Sequence, residues 1–309
     1  MLNRSKGLRN TLVATFLVVA MILTATNQPS HAQTAANEER ITLSPAVVRP
    51  ELKSASTNKG KLTVINNGSI SYTFLMYARP FSVSGEQYDP NFTKINEQTE
   101  AYQWVQFKQT EMKLKPGQRT EVEYTVSVPN SAAAGGHYAV LFAETQPPDE
   151  TGNVTRKKRV GALLYMTVDG DINRSGSLES WSAPLLQTQR PVSSTLRLKN
   201  DGNIHYQANL KVKYTNIFNK KRFELNQELL ILPDSIRRIP IEWQDAPYAG
   251  IYKASGQVSY LDRTEELPVK YVILLPIPII AGAAIVIATG LILGIRKCKK
   301  SSKIGKRKR

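Results

Sequence analysis

The chain of 309 residues carries one cysteine, Cys298. No disulfide can staple it, and no thiolate upstream of that position can ligate a metal or attack a substrate. Histidine is almost as scarce, with only His31, His137 and His205. The sequence has no Gly-x-Ser-x-Gly elbow, no His-Glu-x-x-His pair and no glycine-rich phosphate loop. It therefore offers no nucleophile–base pairing, no zinc ligand set and no nucleotide cradle, and we expect no catalytic residue, no metal and no cofactor. A basic face is missing as well, although the net charge is +16. Of the 41 Lys and Arg residues, three lie in the first ten positions and nine after Ile295, which leaves 29 against 25 acids. A middle so nearly neutral has nothing to lay on phosphates, so nucleic acid is excluded as a partner.

What is present starts at the two ends, where the excess charge flanks the two longest apolar runs. Arg4, Lys6 and Arg9 precede the uncharged run Thr11–Ala25, and Ser30-His31-Ala32 puts small residues at the −3 and −1 positions. This pattern predicts a secretory leader over residues 1–32, cleaved between Ala32 and Gln33. At the other end, the 24 residues from Val272 to Ile295 carry no charge and are followed by nine basic residues. At 1.5 Å per residue such a helix would reach ~36 Å, enough for a bilayer core. The expectation is a single-pass protein: residues 272–295 cross the cell membrane, 33–271 face outward and the basic tail 296–309 is cytoplasmic. Leu267-Pro268-Val269-Lys270-Tyr271 lacks the Thr-Gly of a sortase signal, and Cys298 could be acylated.

Between the ends the pattern has period two. Val122, Tyr124, Val126 and Val128 alternate with polar neighbours, as do Leu196 and Leu198, then Leu210, Val212 and Tyr214, then Ile239, Ile241 and Trp243. Such runs are half-buried strands. Turn clusters separate them, among them Asn66-Asn67-Gly68-Ser69, Lys115-Pro116-Gly117-Gln118 and Asn200-Asp201-Gly202-Asn203. No long amphipathic helix interrupts them. The fold class is therefore all-β, with immunoglobulin-like antiparallel sandwiches.

An internal repeat sets their number. Residues 64–72 (VINNGSISY) match 198–206 (LKNDGNIHY), and Gly136-His137-Tyr138 matches Gly250-Ile251-Tyr252. The spacing differs by 20 residues, and polar Ser84–Gln109 is the place for the extra length, as a long middle loop. The organisation expected is a linker at 33–39, a first sandwich at 40–172 and a second at 173–270.

Candidate binding residues are few. Tyr88, Phe92, Tyr102 and Trp104 cluster in the polar insertion among amides, where rings could stack on a ligand. His137 and Tyr138 follow Gly135-Gly136, where the backbone can approach closely; Tyr138 could equally anchor a sandwich corner by its hydroxyl. Asp169-x-Asp171-x-Asn173 alternates oxygens as a calcium loop does, but Arg174 and Ser180 stand where such a loop needs a glycine and a closing glutamate. A plain turn accounts for it equally well.

As a set, Trp104-x-x-Phe107, Leu114-x-Pro116-Gly117, Val126-x-Val128-Pro129 and Gly135-Gly136-His137-Tyr138-Ala139 resemble the peptidoglycan-binding-type domain of WxL-interacting proteins. Asn200-x-Gly202-Asn203-Ile204-His205, Ile231-Leu232-Pro233-x-Ser235, Trp243 and Gly250-x-Tyr252 resemble that family's companion sandwich. The resemblance spans residues 40–309. It implies a non-catalytic surface protein of a walled, single-membrane bacterium that binds cell-wall glycan or a WxL-type surface-layer protein. A second reading needs no resemblance: a structural spacer or assembly subunit of an envelope complex, joined to other proteins through sheet edges.

Overall fold

The computed structural model describes residues 40–146 and 157–305, with side chains through Ile292. The expected leader, its Ala32–Gln33 cleavage site, the 33–39 linker and the Cys298 side chain lie outside the described residues.

Alternation in the sequence becomes strands. In the first half these are β1 (Ile41–Ser44), β2 (Val47–Val48), β3 (Glu51–Leu52), β4 (Thr57–Asn66), β5 (Tyr72–Pro80), β6 (Ser82–Ser84), β7 (Asp89–Asn91), β8 (Val105–Phe107), β9 (Glu111–Leu114), β10 (Arg119–Ser127), β11 (Gly135–Gln146) and β12 (Arg159–Val168). A 3₁₀ turn at Glu100–Trp104 precedes β8. The second half has β13 (Gly176–Ser182), β14 (Leu186–Gln187), β15 (Val192–Asn200), β16 (Tyr206–Asn216), β17 (Lys221–Ile231), β18 (Ser235–Trp243), β19 (Gly250–Tyr260) and β20 (Arg263–Leu274), followed by helix α1 (Ile277–Gly305).

Each half is a sandwich. One sheet of the first runs β1-β4-β10-β8; the facing sheet runs β2-β12-β11-β5-β9, with β3 also on β12. The second sandwich opposes β13-β15-β18 to β14-β20-β19-β16-β17. In both, the first part of the chain switches sheets: β2 and β3 lie parallel to the end of β12, and β14 lies parallel to the end of β20. The alternating positions read from sequence fill the cores. Val122, Tyr124 and Val126 pack with Leu62, Phe74 and Leu164 in the first, and Leu196, Leu198, Val212, Tyr214 and Ile241 pack in the second. Truncating a fully buried leucine such as Leu62 or Leu196 to alanine costs about 2–5 kcal/mol.

The sequence repeat is a repeated piece of chemistry. Asn66 ends β4 and is fully buried; its Nδ2 donates to the carbonyls of Ile70 (2.7 Å) and Leu114 (3.2 Å), and its Oδ1 accepts from the Gly68 N–H (2.9 Å). Asn200 ends β15 and does the same with Ile204 (2.9 Å), Ile231 (2.9 Å) and Gly202 (2.9 Å). One amide thus closes the turn and ties it to a strand of the facing sheet. Gly136 and Gly250 share a second device: a Cβ at either would strike the hydroxyl of the tyrosine two residues on.

The C-terminus departs from expectation. Val272 and Leu274 belong to β20 and are buried in the second core, so the uncharged run 272–295 is divided between a strand and a helix. Pro276 separates them, and its carbonyl accepts from the N–H of Ile279 (2.9 Å) as α1 begins. Among the described residues no helix is long and apolar enough to cross a membrane. The span from Val272 to Ile295, the single-pass topology built on it and the membrane as a partner are corrected accordingly. A long uncharged run with basic residues after it does not separate a buried strand end from a helix.

Candidate functional site

The insertion read as a loop folds instead into the β6–β7 hairpin, the 3₁₀ turn and β8, and the hairpin reaches the second sandwich. Beneath it lies the outer face of β11. This strand is buried on both sides: Ala139, Leu141 and Ala143 face the first core, while Tyr138, Val140 and Phe142 face outward into a separate cluster. Phe81, Tyr165 and Leu232 complete that cluster, with Tyr88, Phe92 and Leu230 packed against it. Leu230 and Leu232 come from the second sandwich, so the cluster is a seam between the two halves.

Polar bonds fix the seam at three points. The Tyr88 hydroxyl accepts from the Leu232 N–H (2.9 Å) and lies 2.5 Å from Ser235 Oγ. Ser235 donates its only proton to the Leu232 carbonyl (2.6 Å), so Tyr88 is the donor in the pair. The Arg237 guanidinium sits 4.6 Å above the Tyr88 ring. These contacts hold Tyr88 at φ 65°, an uncommon backbone for a bulky side chain. Burial pushes its phenol above the ordinary range.

Next to it, Glu86 receives two hydrogen bonds from the Arg197 guanidinium, one from Nε at 2.8 Å and one from a terminal nitrogen, and its carbonyl accepts from the Arg238 N–H (2.8 Å). The Arg197 hydrogen bond holds the Glu86 carboxyl below its usual value.

The third point is Tyr138 with the turn Asn203–His205. The Tyr138 hydroxyl accepts from the His205 N–H (3.0 Å) and lies 3.2 Å from His205 Nδ1. Burial, then the nearby Arg49 and Arg174, push His205 down to about 4. The ring is therefore neutral, with Nδ1 accepting the Tyr138 proton. Burial raises Tyr138 well beyond the ordinary phenol range, and Tyr165, beside both rings, is pushed up to about 12. Asn203 is a hub: its carbonyl accepts from the Gly136 N–H (2.8 Å), its Nδ2 donates to Ala134 (3.2 Å) and Asp171 (2.9 Å), and its Oδ1 accepts from the Asn173 N–H (2.8 Å). Gly135 has φ 120° here, and a Cβ on it would collide with the Asn203 carbonyl.

The six candidate residues are thus divided. Tyr88, Phe92 and Tyr138 meet in the seam. Trp104 and His137 pack on each other in the first core with centroids 4.7 Å apart, His137 Nε2 lying 2.8 Å from the Ala133 carbonyl. Tyr102 is half-buried against the first core and borders an open groove with Arg79, Phe92 and Arg159. Asp171 and Asn173 are engaged through their backbones by Asn203, and among the described residues no three His, Cys, Asp or Glu side chains group as a metal site would. Sequence reading missed Glu86, Arg197, Asn203 and Ser235. A signal for the seam existed: His137–Ala143 (HYAVLFA) is continuously non-charged rather than alternating, which marks a strand covered on both faces.

The remaining feature of the surface is its sheet edges. β1, β8 and β9 are only three or four residues long. β12 is covered over its second half by β2 and β3. β18 carries Pro240 and gives its Arg238 N–H to Glu86. β20 carries Pro268 and is covered at its end by β14. Two edges stay open among the described residues: β13, seven residues with a bulge between Leu178 and Ser180, and β17, eleven residues without proline, paired with β16 on one side and with no strand on the other.

No family model and no curated protein matches the chain. Solved structures align with it over most of its length. They include the YadV chaperone (12% identity, 74% of this chain and 99% of that one, TM-score 0.41). The CsuC–CsuE chaperone–tip adhesion subunit complex of Acinetobacter baumannii aligns with 16% identity over 75% and 98%, TM-score 0.39. The E. coli chaperone DraB aligns with 16% identity over 76% and 97%, TM-score 0.37.

These are two chaperones and a chaperone complex of Csu pili, none of them a WxL-interacting protein, so the family resemblance drawn from Trp104 to Ala139 and from Asn200 to Tyr252 is corrected. Its motifs mark sandwich architecture instead. Trp104 is a core residue, Gly117 is a turn at φ 73°, and Gly136 makes room for Tyr138. The membrane-anchored wall-binding protein, with cell-wall glycan or a WxL-type protein as partner, is withdrawn with it.

Proposed function

We propose that the chain is an assembly subunit: a rigid two-sandwich body that holds another protein through a sheet edge, without catalysis. The unbroken outer edge of β17 carries this reading. An exposed edge presents a row of free N–H and C=O groups, and added strands bind there by completing the ladder. Of the other edges, β13 is open but shorter, with seven residues and a bulge between Leu178 and Ser180, and the rest are shortened, covered or interrupted by proline, so β17 is the longest edge open to an added strand. The seam serves the same end. It joins residues 40–172 to the second unit, whose last strand reaches Leu274, so that a load on β17 is borne by both cores. Within this reading Tyr88, Phe92 and Tyr138 shape the body rather than contact the partner, and the leader expected at 1–32 would export it. A photo-crosslinking residue at Asn226, in β17, tests the proposal in producing cells. Adducts are expected there and not at Thr125, which is flanked on both sides by strands of its sheet. Equal labelling at the two positions would overturn the edge.

A further inference from the structure

Resting on that reading, we infer that the partner added at β17 is a second copy of the chain, paired antiparallel about a two-fold axis through Leu225. Such an axis, normal to the sheet, keeps inner faces on one side and outer faces on the other, so residues pair only when their numbers add to an even total. The outer face of β17 presents Arg222, Glu224, Asn226 and Glu228, all exposed. Centred on Leu225, Arg222 lies opposite Glu228 of the second copy at both ends of the ladder, and Glu224 lies opposite Asn226. Centred on Asn226, Glu224 would face Glu228 twice. Centred on Glu224 or Glu228, a glutamate would face itself. Centred on Gln227, no opposite charges meet. Among registers pairing seven residues or more, only the Leu225 register therefore sets opposite charges against each other.

A second observation points the same way. Lys221 and Glu224 form an ion pair within the strand (2.5 Å), whereas Arg222 and Glu228 enter no salt bridge among the described residues. A bulge against β16 falls between Lys221 and Phe223. The new ladder is the seven residues from Arg222 to Glu228, and its two charge pairs fall at the ends, beside that bulge. On the inner face Leu225 meets its own copy, beside Phe223 and at the rim of the second core.

The test uses the full-length chain in solution, followed by light scattering across a dilution series. Wild type is expected to dimerise. Arg222→Glu or Glu228→Arg alone should weaken the dimer about tenfold or more, because each puts like charges opposite at two places, and the double exchange should restore it. In a Cys298→Ser background, Leu225→Cys should form a disulfide-linked dimer and Gln227→Cys should not. A monomer at every concentration, single reversals without effect, no rescue by the double exchange, or linking through Gln227→Cys instead of Leu225→Cys would overturn the inference. Adducts from Asn226 to a different protein would overturn self-pairing while leaving sheet-edge assembly standing; absence of any adduct would overturn both.

Discussion

The two sandwiches carry the same turn and use it differently. Asn66 and Asn200 each sit at a strand end, buried, and each closes a turn through two carbonyls and a glycine N–H. Inside the cage the units are equivalent. Outside it, the first has Ser69 and Ser71 where the second has Asn203 and His205. Two side-chain changes at the tip convert a closed turn into a joint, because Asn203 can donate and accept at once and His205 offers a ring nitrogen to Tyr138. The matching tyrosines diverge in step. Tyr138 bonds across the seam at 3.0 Å, whereas Tyr252 reaches only the Ala249 carbonyl of its own turn at 3.4 Å. A repeat can thus keep its internal chemistry fixed while its rim is reassigned.

The strongest test of this equivalence removes the cage amides. Asn200→Ala strands two buried carbonyls and an N–H and frees the docked tip, and should cost about 3–4 kcal/mol in equilibrium unfolding. Asn66→Ala should cost about 2–3 kcal/mol, since one of its carbonyl contacts is only part-buried. A loss below that of an ordinary surface substitution at either site would end the parallel.

Acid separates the rims next. The folded His205 titrates near 4 against an ordinary 6.5, so the unfolded chain binds the extra proton between these values. Stability is complete above pH 6.5 and falls as pH drops toward 4, by about 2–3 kcal/mol from this ring. Thermal unfolding across that window should show the loss, and His205→Asn should flatten it.

Removing single hydroxyls gives a smaller contrast. Tyr138→Phe leaves the His205 N–H without its acceptor and should cost about 1–2 kcal/mol, while Tyr252→Phe should stay within about 0.5 kcal/mol. Comparable losses in the two variants would erase the distinction. The least effect is expected from Glu86→Gln. Its carbonyl bond to Arg238 survives and only the charge facing Arg197 is lost, so the unfolding midpoint should hold and amide exchange at Arg238 should stay as slow as in wild type.

Much of the fold was legible because half-buried strands write their faces into the sequence. Val122, Tyr124 and Val126 were assigned inward by alternation alone and are buried. The Asn-x-Gly repeat was visible as spelling, and its meaning as a caged amide follows from the hydrogen bonds. The seam was not legible from spacing, since Tyr88 and Ser235 lie 147 residues apart and nothing local links them. The aromatic residues of the insertion point to a ligand by composition; the second sandwich takes that role for Tyr88, while the Phe92 ring packs on Phe81 and Phe142 of its own half. At the C-terminus, hydropathy registered Val272 and Leu274 as membrane material because burial in a protein core and burial in lipid select the same side chains.

That junction has a mechanical corollary. Only Leu275 and Pro276 separate β20 from α1, and β20 is bonded to β19 along its length and to β14 at its end. A pull on the helix therefore enters the second sandwich along the strand axis, at right angles to the ladder bonds. Those bonds resist together in shear instead of parting one at a time, which makes the helix a handle and β20 its tang.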